Sequence, residues 1–256
     1  MDKRGKKAQV TIFIIIAIII VVLGILIYMF YPKIKASFGF EEQSPSAFLE
    51  GCIKDEIQKS TEILSPQGGS INPKHYILYN GEKIEYLCYT EEYYKTCVMQ
   101  QPMLKSHIEN EIKGNIEDEV KVCLDDMEKK YKSKGYNVNL KRGDINVELL
   151  PERIITTLNS SLTLTKSENS EKYNSFKISL NNNLYELVSI ANSILNWEAR
   201  YGDAETTTYM NYYHDLKVEK LKQTDGSTIY ILTDRNNGNK FRFASRSVAW
   251  PPGYGE

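Results

Sequence analysis

Residues 6–22 read KKAQVTIFIIIAIIIVV, two lysines running into an unbroken apolar stretch. How this stretch is read decides which part of the chain must fold in water. From Val10 to Tyr31 there are 22 positions without a charged residue. As a helix rising about 1.5 Å per residue they cover roughly 33 Å, close to the ~30 Å depth of a bilayer's hydrocarbon core. Ile and Val weaken a helix slightly in water. In lipid every backbone group must pair within the segment, so helix is the conformation left. The apolar core is about twice as long as a secretory signal requires, and Tyr-Met-Phe-Tyr-Pro at 28–32 offers no small-residue cleavage pattern. The span is therefore expected to be retained.

The flanks set its direction. Lys3, Arg4, Lys6 and Lys7 precede the span; Lys33 and Lys35 follow it, then Glu41 and Glu42. Four basic residues against two place the N-terminus in the cytoplasm. Tyr28, Phe30 and Tyr31 supply an aromatic belt at the outer end. The expected organisation is a basic leader at 1–9, a transmembrane helix at 10–31 and an extracytoplasmic portion from 32 onward. That portion reads as a mainly helical part with a cysteine hairpin, 32–142, and an antiparallel sheet with one helix, 143–256. The fold class is α+β.

The N-terminus resembles the class III signal of archaeal type IV pilins and archaellins, in which a short basic leader and a small residue precede an apolar helix. Lys6, Lys7, Ala8 and Gln9 carry that resemblance. It implies peptidase cleavage between Ala8 and Gln9, with the helix surviving as anchor or filament stem. The chain departs from bacterial-type pilins in having no Glu between Gln9 and Tyr31. A plain anchor with a basic collar satisfies the same residues. More widely, QVTIFIII at 9–16, GCIKDEI at 51–57, PQGG at 66–69 and VCLDDM at 122–127 are similar to a family of single-span surface proteins of small-genome archaea. That resemblance implies a location and no activity.

Cys52, Cys88, Cys97 and Cys123 all follow the span. An even count outside the cytoplasm predicts two disulfides, with three possible connectivities. A hairpin across YLCYTEEYYKTCVM at 86–99 brings Cys88 to Cys97. Cys52 and Cys123 are then left as a bridge between two predicted helices. In the opposite orientation all four would be reduced, buried thiols. No Cys-x-x-Cys or Cys/His spacing suggests zinc.

A first helix is predicted over Pro45–Leu64, with Leu49, Cys52, Ile53, Ile57 and Leu64 on one stripe and SPQGG at 65–69 as its stop. A second runs from Pro102 to about Lys134. Its apolar residues recur every fourth position, and Gly114 marks a candidate break. Beyond Lys141 the period becomes two, at Ile145, Val147 and Leu149, at Leu162 and Leu164, and at Phe176, Ile178 and Leu180. A third helix starts at Asn183, which forms a candidate capping box with Glu186. A three-stranded meander closes the chain, with Asp-Gly at 225–226 and Asn-Gly at 237–238 as turns. Ile229, Ile231, Phe241 and Phe243 are expected to pack on the third helix.

No catalytic constellation is visible, and neither cofactor nor metal is expected. His75, His107 and His214 share no ligand spacing. QGGS at 67–70 lacks the Lys and Ser/Thr of a phosphate loop, and no nucleophile motif occurs. The acidic residues Glu117, Asp118, Glu119, Asp125 and Asp126 alternate with Lys121, Lys129 and Lys130, as on a solvated helix face. Four of the 32 Lys and Arg precede the span and one of the 33 Asp and Glu does. The external part is thus mildly acidic, against a nucleic-acid partner. Asn159-Ser160-Ser161 fits a glycosylation acceptor. Tyrosine is abundant, 18 residues, and clusters at Tyr93–Tyr94 and Tyr212–Tyr213. Such rings serve recognition surfaces at low entropic cost, or simply pack in strands. Trp250, in the tail WPPGYGE, either docks on its own domain or meets a partner.

The functional expectation is a single-pass surface protein with an interaction or envelope-structural domain. Its partners are the bilayer and other envelope proteins, self-association included. A pilin-like filament subunit and a membrane-tethered enzyme of unrecognised type are the alternatives.

Overall fold

The computed structural model describes residues 16–26 and 43–251. The chain divides into two units, Met1–Ser44 and Pro45–Glu256. In the first, residues 16–26 are helical (α1), and every side chain there is exposed although all are apolar. Among the described residues no helix is long and apolar enough to cross a membrane. The span expected at 10–31 runs past α1 at both ends. Ala8, Gln9 and the aromatic belt lie outside the described residues.

The second unit is α+β. Helix α2 spans Pro45–Leu64 and buries Leu49, Ile53, Ile57 and Leu64. Pro45 suits its first turn because the missing N–H would have no intrahelical partner. The helix gives way to a 3-10 turn, Ser65–Gln67, ahead of the glycine pair. Helix α3, Leu104–Ser133, runs unbroken for 30 residues. Gly114 does not interrupt it. A glycine there costs about 1 kcal/mol, and burial of Ile108, Ile112, Ile116 and Val120 outweighs that. Apolar residues four apart drift around a 3.6-residue helix, so α3 can face several neighbours: α2, two of the strands and α4.

The strands form three sheets. β1 (Tyr76–Tyr79), β2 (Glu82–Tyr89), β10 (Leu216–Lys222), β11 (Ser227–Asp234) and β12 (Lys240–Arg246) follow the order β1-β2-β12-β11-β10, with short β3 (Val98–Met99) pairing on β2. β4 (Asn137–Lys141), β7 (Ser161–Lys166) and β8 (Asn169–Tyr173) make the second sheet. β5 (Ile145–Leu150), β6 (Arg153–Leu158) and β9 (Phe176–Asn181) make the third. β9 alternates strictly between buried and exposed, as its period predicts. β6, the central strand of its sheet, buries Ile154, Ile155 and Thr156 in succession, so it carries no alternation to read.

One pairing crosses from the first half of the unit to the last. β2 and β12 run parallel, with Ala244 opposite Tyr86 and Arg246 opposite Tyr89. The first sheet is therefore mixed rather than antiparallel throughout. Helix α4, Leu184–Tyr201, covers one face of it. That face carries Tyr230 and Leu232 of β11 opposite Phe243 and Phe241 of β12. Phe241 and Phe243 join the main core as expected. Ile229 and Ile231 do not: neighbouring residues of a strand point to opposite faces. Ile229 packs with Ile84, Tyr86 and Ala244 in a smaller cluster on the far face, and Ile231 lies against it.

The capping box at α4 is also absent. Asn183 makes no side-chain cap, because its amide donates to Asp234 and accepts from Asn239 across the fold. Asn182 caps instead, its Oδ1 accepting from Leu184 N at 2.8 Å. Glu186 accepts from Glu152 N at 2.9 Å. A short fifth helix, α5 (Thr207–Tyr212), packs on β10.

Candidate functional site

The parallel pairing of β2 with β12 brings two distant segments to one end of the sheet. Because both strands end there, the loop after Tyr89 and the strap after Arg246 leave the sheet side by side. Bridge Cys88–Cys97, with Cα atoms 5.4 Å apart, closes the loop. Two backbone bonds tie loop to strap: Tyr94 N donates to Ala249 O at 2.9 Å, and Val248 N to Lys95 O at 2.7 Å. Ser247 Oγ accepts from Cys97 N and donates to Glu198 O. The strap lies across two glycines. A Cβ at Gly202 would stand 2.0 Å from Val248 Cγ2, and one at Gly226 would stand 2.4 Å from Ala249 Cβ. Both glycines also have positive φ, where any other residue is strained. Tyr94 and Val248 themselves sit at φ 61° and 47°, strain that the bridge and the backbone bonds hold in place.

The result is an aromatic cavity of about 240 Å³, lined by Tyr89, Tyr93, Trp250, Arg246 and three polar neighbours, Glu91, Thr224 and Asp225. Arg246 is only 9% exposed. Its Nε donates to Asp225 O at 3.0 Å and Nη1 to Thr90 O at 2.5 Å, and its guanidinium stands 5.4 Å from the Tyr93 ring. Both acceptors are carbonyls. The Asp225 carboxylate is engaged by Ser227, through its N–H at 2.9 Å and its hydroxyl at 3.0 Å. The cation is thus oriented by neutral oxygens, in a lining that also holds the Glu91 and Asp225 carboxylates, beside a ring face that favours cations and planar groups. Trp250 meets Tyr94 edge-on at 5.2 Å and stays 55% exposed, so it docks on its own domain and still presents a face.

The structure therefore brings Tyr93, Tyr94 and Trp250 together. Tyr212 and Tyr213 stand elsewhere, edge to face at 5.2 Å at the end of α5. Tyr89 and Arg246 belong to the cavity but are inconspicuous in the sequence, since only the strand pairing exposes them to it. His75 packs on Tyr86 and Tyr89. The backbone carbonyl of His214 accepts from Arg235. Asn159 is exposed in the β6–β7 connection.

Bridge Cys52–Cys123 links α2 to α3 with Cα atoms 6.2 Å apart. Glu119 lies beside it, with Oε1 3.8 Å from Cys123 Sγ, a contact without a proton to share because the sulfur is in the bridge. These three residues form the single group of metal-competent atoms close enough to share an ion among the described residues. The disulfide takes both sulfurs.

Two buried polar clusters hold the surroundings rigid. Glu198, 2% exposed, accepts from Ala204 N at 2.8 Å, from Ser245 Oγ at 3.0 Å and from the Tyr230 hydroxyl. Burial, then the Glu198 carboxylate, raises the Tyr230 hydroxyl far above the usual phenol range. Ser70 bonds both Glu85 and His107, the latter at 2.8 Å, and Glu111 accepts from Ile71 N at 2.7 Å. Burial raises the Glu85 carboxyl; Ser70 and His107 oppose the shift and Glu111 adds to it. A serine, a histidine and an acid meet here, but the acid touches the serine rather than the ring. Ser70 Oγ belongs to a residue only 5% exposed. The geometry suits a lock on the QGGS turn, since a nucleophile needs an accessible oxygen and a base oriented by a third group.

No protein-family model, curated protein or solved structure matches this chain.

Proposed function

We propose that the protein is a single-pass, membrane-anchored surface protein whose domain from Pro45 onward works outside the cytoplasm as an interaction or envelope-structural module. One observation carries the reading: all four cysteines pair off, leaving none free. Such pairs persist in oxidising compartments, which is where the charge flanks of the apolar stretch direct the domain. The exposed apolar residues 16–26 support an anchor, because a helix apolar all round needs lipid or protein around it. The N-terminal resemblance to archaeal surface proteins agrees with the same placement.

The rigid aromatic cavity supports recognition of a protein partner, either another envelope protein or a second copy of the chain. Its rings offer large contact area without ordering cost, and Arg246 offers an oriented charge. No catalytic role and no nucleic-acid partner is proposed. Protease added to intact cells should remove the domain, and complete protection of it would end the topology. Peptide mapping without reductant should recover Cys52–Cys123 and Cys88–Cys97; four alkylatable thiols in the native protein would contradict the compartment.

The motif Lys7-Ala8-Gln9 favours a second reading, a pilin-like filament subunit. Mass spectrometry of the mature N-terminus separates the two. A chain beginning at Gln9 supports the filament subunit, and an intact leader supports the plain anchor.

A further inference from the structure

Away from the aromatic cavity, two cavities adjoin at Asn183 and Asp234, which line both. Their volumes are about 560 and 380 Å³, within the usual range for ligand sites. The larger is walled mainly by amides. Seven of its twelve lining residues are Asn or Gln, brought together from α2, from the β9–α4 junction (Asn181, Asn182, Asn183) and from the β11–β12 turn (Asn236, Asn237, Asn239). The smaller adds two rings, Tyr185 and Tyr213, and the apolar Leu187 and Ile190. We propose that this groove binds a neutral saccharide chain, with hydroxyls on the amide wall and a sugar face on the tyrosines.

The lining itself selects that class. No Lys, Arg or His lines either cavity, and Lys105, whose Nζ stands 5.7 Å from the Tyr185 ring, is paired with Glu109, so phosphate, sulfate and carboxylate ligands meet lining carboxylates with little counter-charge. The larger cavity has a single apolar lining residue, Leu180, too little for a lipid or a greasy side chain. Its carboxylates Glu62, Glu152 and Asp234 are not among the groups whose ligand atoms converge closely enough to hold a cation. A sugar suits what remains. Each amide offers two donors and an acceptor in one plane, matching adjacent hydroxyls. The C–H face of a pyranose packs on an aromatic ring.

The wall is also prepared in advance. Asn183 Nδ2 donates to Asp234 Oδ2 at 2.5 Å, Asn237 Nδ2 to the same oxygen at 3.1 Å, and Asn239 Nδ2 to Asn183 Oδ1 at 2.7 Å. This network fixes the positions of the inner amides and lowers the ordering cost of binding. Asn181 and Asn236 are exposed and stand free to reach a ligand. On the smaller cavity, the buried Oε2 of Glu186 has no hydrogen-bond partner, an acceptor that a hydroxyl can satisfy after a small side-chain shift.

This inference is independent of the membrane anchor and of the aromatic cavity. The test uses the full chain in a detergent without a sugar headgroup. Saturation-transfer NMR and calorimetry probe maltohexaose, cellohexaose and chitohexaose, with a sulfated hexasaccharide as the anionic comparison. A glycoprotein carrying neutral high-mannose chains, before and after their enzymatic removal, separates protein-borne glycan from free oligosaccharide. At least one neutral probe should bind with Kd on the order of 0.1–1 mM. Asn181→Ala with Asn236→Ala, and separately Tyr213→Ala, should each weaken it about tenfold while the thermal midpoint stays unchanged. Each set lies at exposed positions, so either decides the question alone. Absence of binding by every neutral probe at about 5 mM, well above that Kd range, overturns the proposal. So does tighter binding of the sulfated probe, or affinity unaltered in either variant.

Discussion

The two bridges of this domain stabilise different things. Cys52–Cys123 joins α2 and α3, which already meet through Leu49, Ile53, Ile57 and the α3 stripe; it adds a long-range link to an existing core. Cys88–Cys97, nine positions apart, closes a loop whose own Tyr93 and Tyr94 are exposed. The bridge itself is buried in the main core, and above it two backbone hydrogen bonds and two close glycine contacts hold the exposed tip. A disulfide acting on a buried interface chiefly governs whether the domain is folded. One buried at the base of an exposed loop chiefly governs whether the surface above it keeps its shape.

The largest effect should come from Cys52→Ala with Cys123→Ala. With the partners 71 positions apart, the chain-entropy model assigns the bridge about 4 kcal/mol, and denaturant unfolding should show a loss of that order. Cys88→Ala with Cys97→Ala should cost less, about 2.5 kcal/mol for a nine-residue separation by the same relation. It should disproportionately alter the fluorescence of Trp250, read in a Trp197→Phe background. Equal losses for the two pairs, with Trp250 unmoved by either, would break the distinction. Gly202→Ala forces a methyl into Val248 at positive φ and should cost roughly 2 kcal/mol. It should loosen the strap while leaving the α2–α3 bridge intact on a peptide map.

The smallest effect concerns pH. Burial raises the Glu85 carboxyl above its ordinary value of 4.5, so the folded state resists its ionisation. The stability this contributes is full below the unfolded value and is lost as pH rises through the folded one. Glu85→Gln should therefore gain thermal midpoint relative to the parent protein as pH climbs above 4.5. A difference that stays constant over that window removes Glu85 as a titrating lock.

The two regions also differ in how much of them is legible in the sequence. The α2 stripe ends at the residues its period predicts, and both cysteine pairings follow from a hairpin and two helices. Each of those signals is local. The strap lobe is half visible: Tyr93, Tyr94 and Trp250 stand out, but nothing in the chain says that residues 150 positions apart, such as Cys97 and Ser247, meet at one surface. Arg246 and Tyr89 are silent because only strand order makes them neighbours. The capping box at Asn183 is a sound local expectation that loses to a partner from another element. Ile229 and Ile231 fall on the face opposite the expected one because β11 is apolar on both.

By itself the sequence determined three long helices, several strand periods, the turns at Asp-Gly and Asn-Gly, a favoured cysteine pairing among three and the apolar stretch at 10–31. All of these follow from spacing along one segment; the short α5 carries no signal that stands out. Only the tertiary structure decided the parallel β2–β12 pairing, the aromatic cavity it creates and the amide groove between the β9–α4 junction and the β11–β12 turn. A parallel pair brings together strands far apart in the chain, and its order depends on burying two faces of a sheet at once. That is a property of the packed whole, and no single segment carries it.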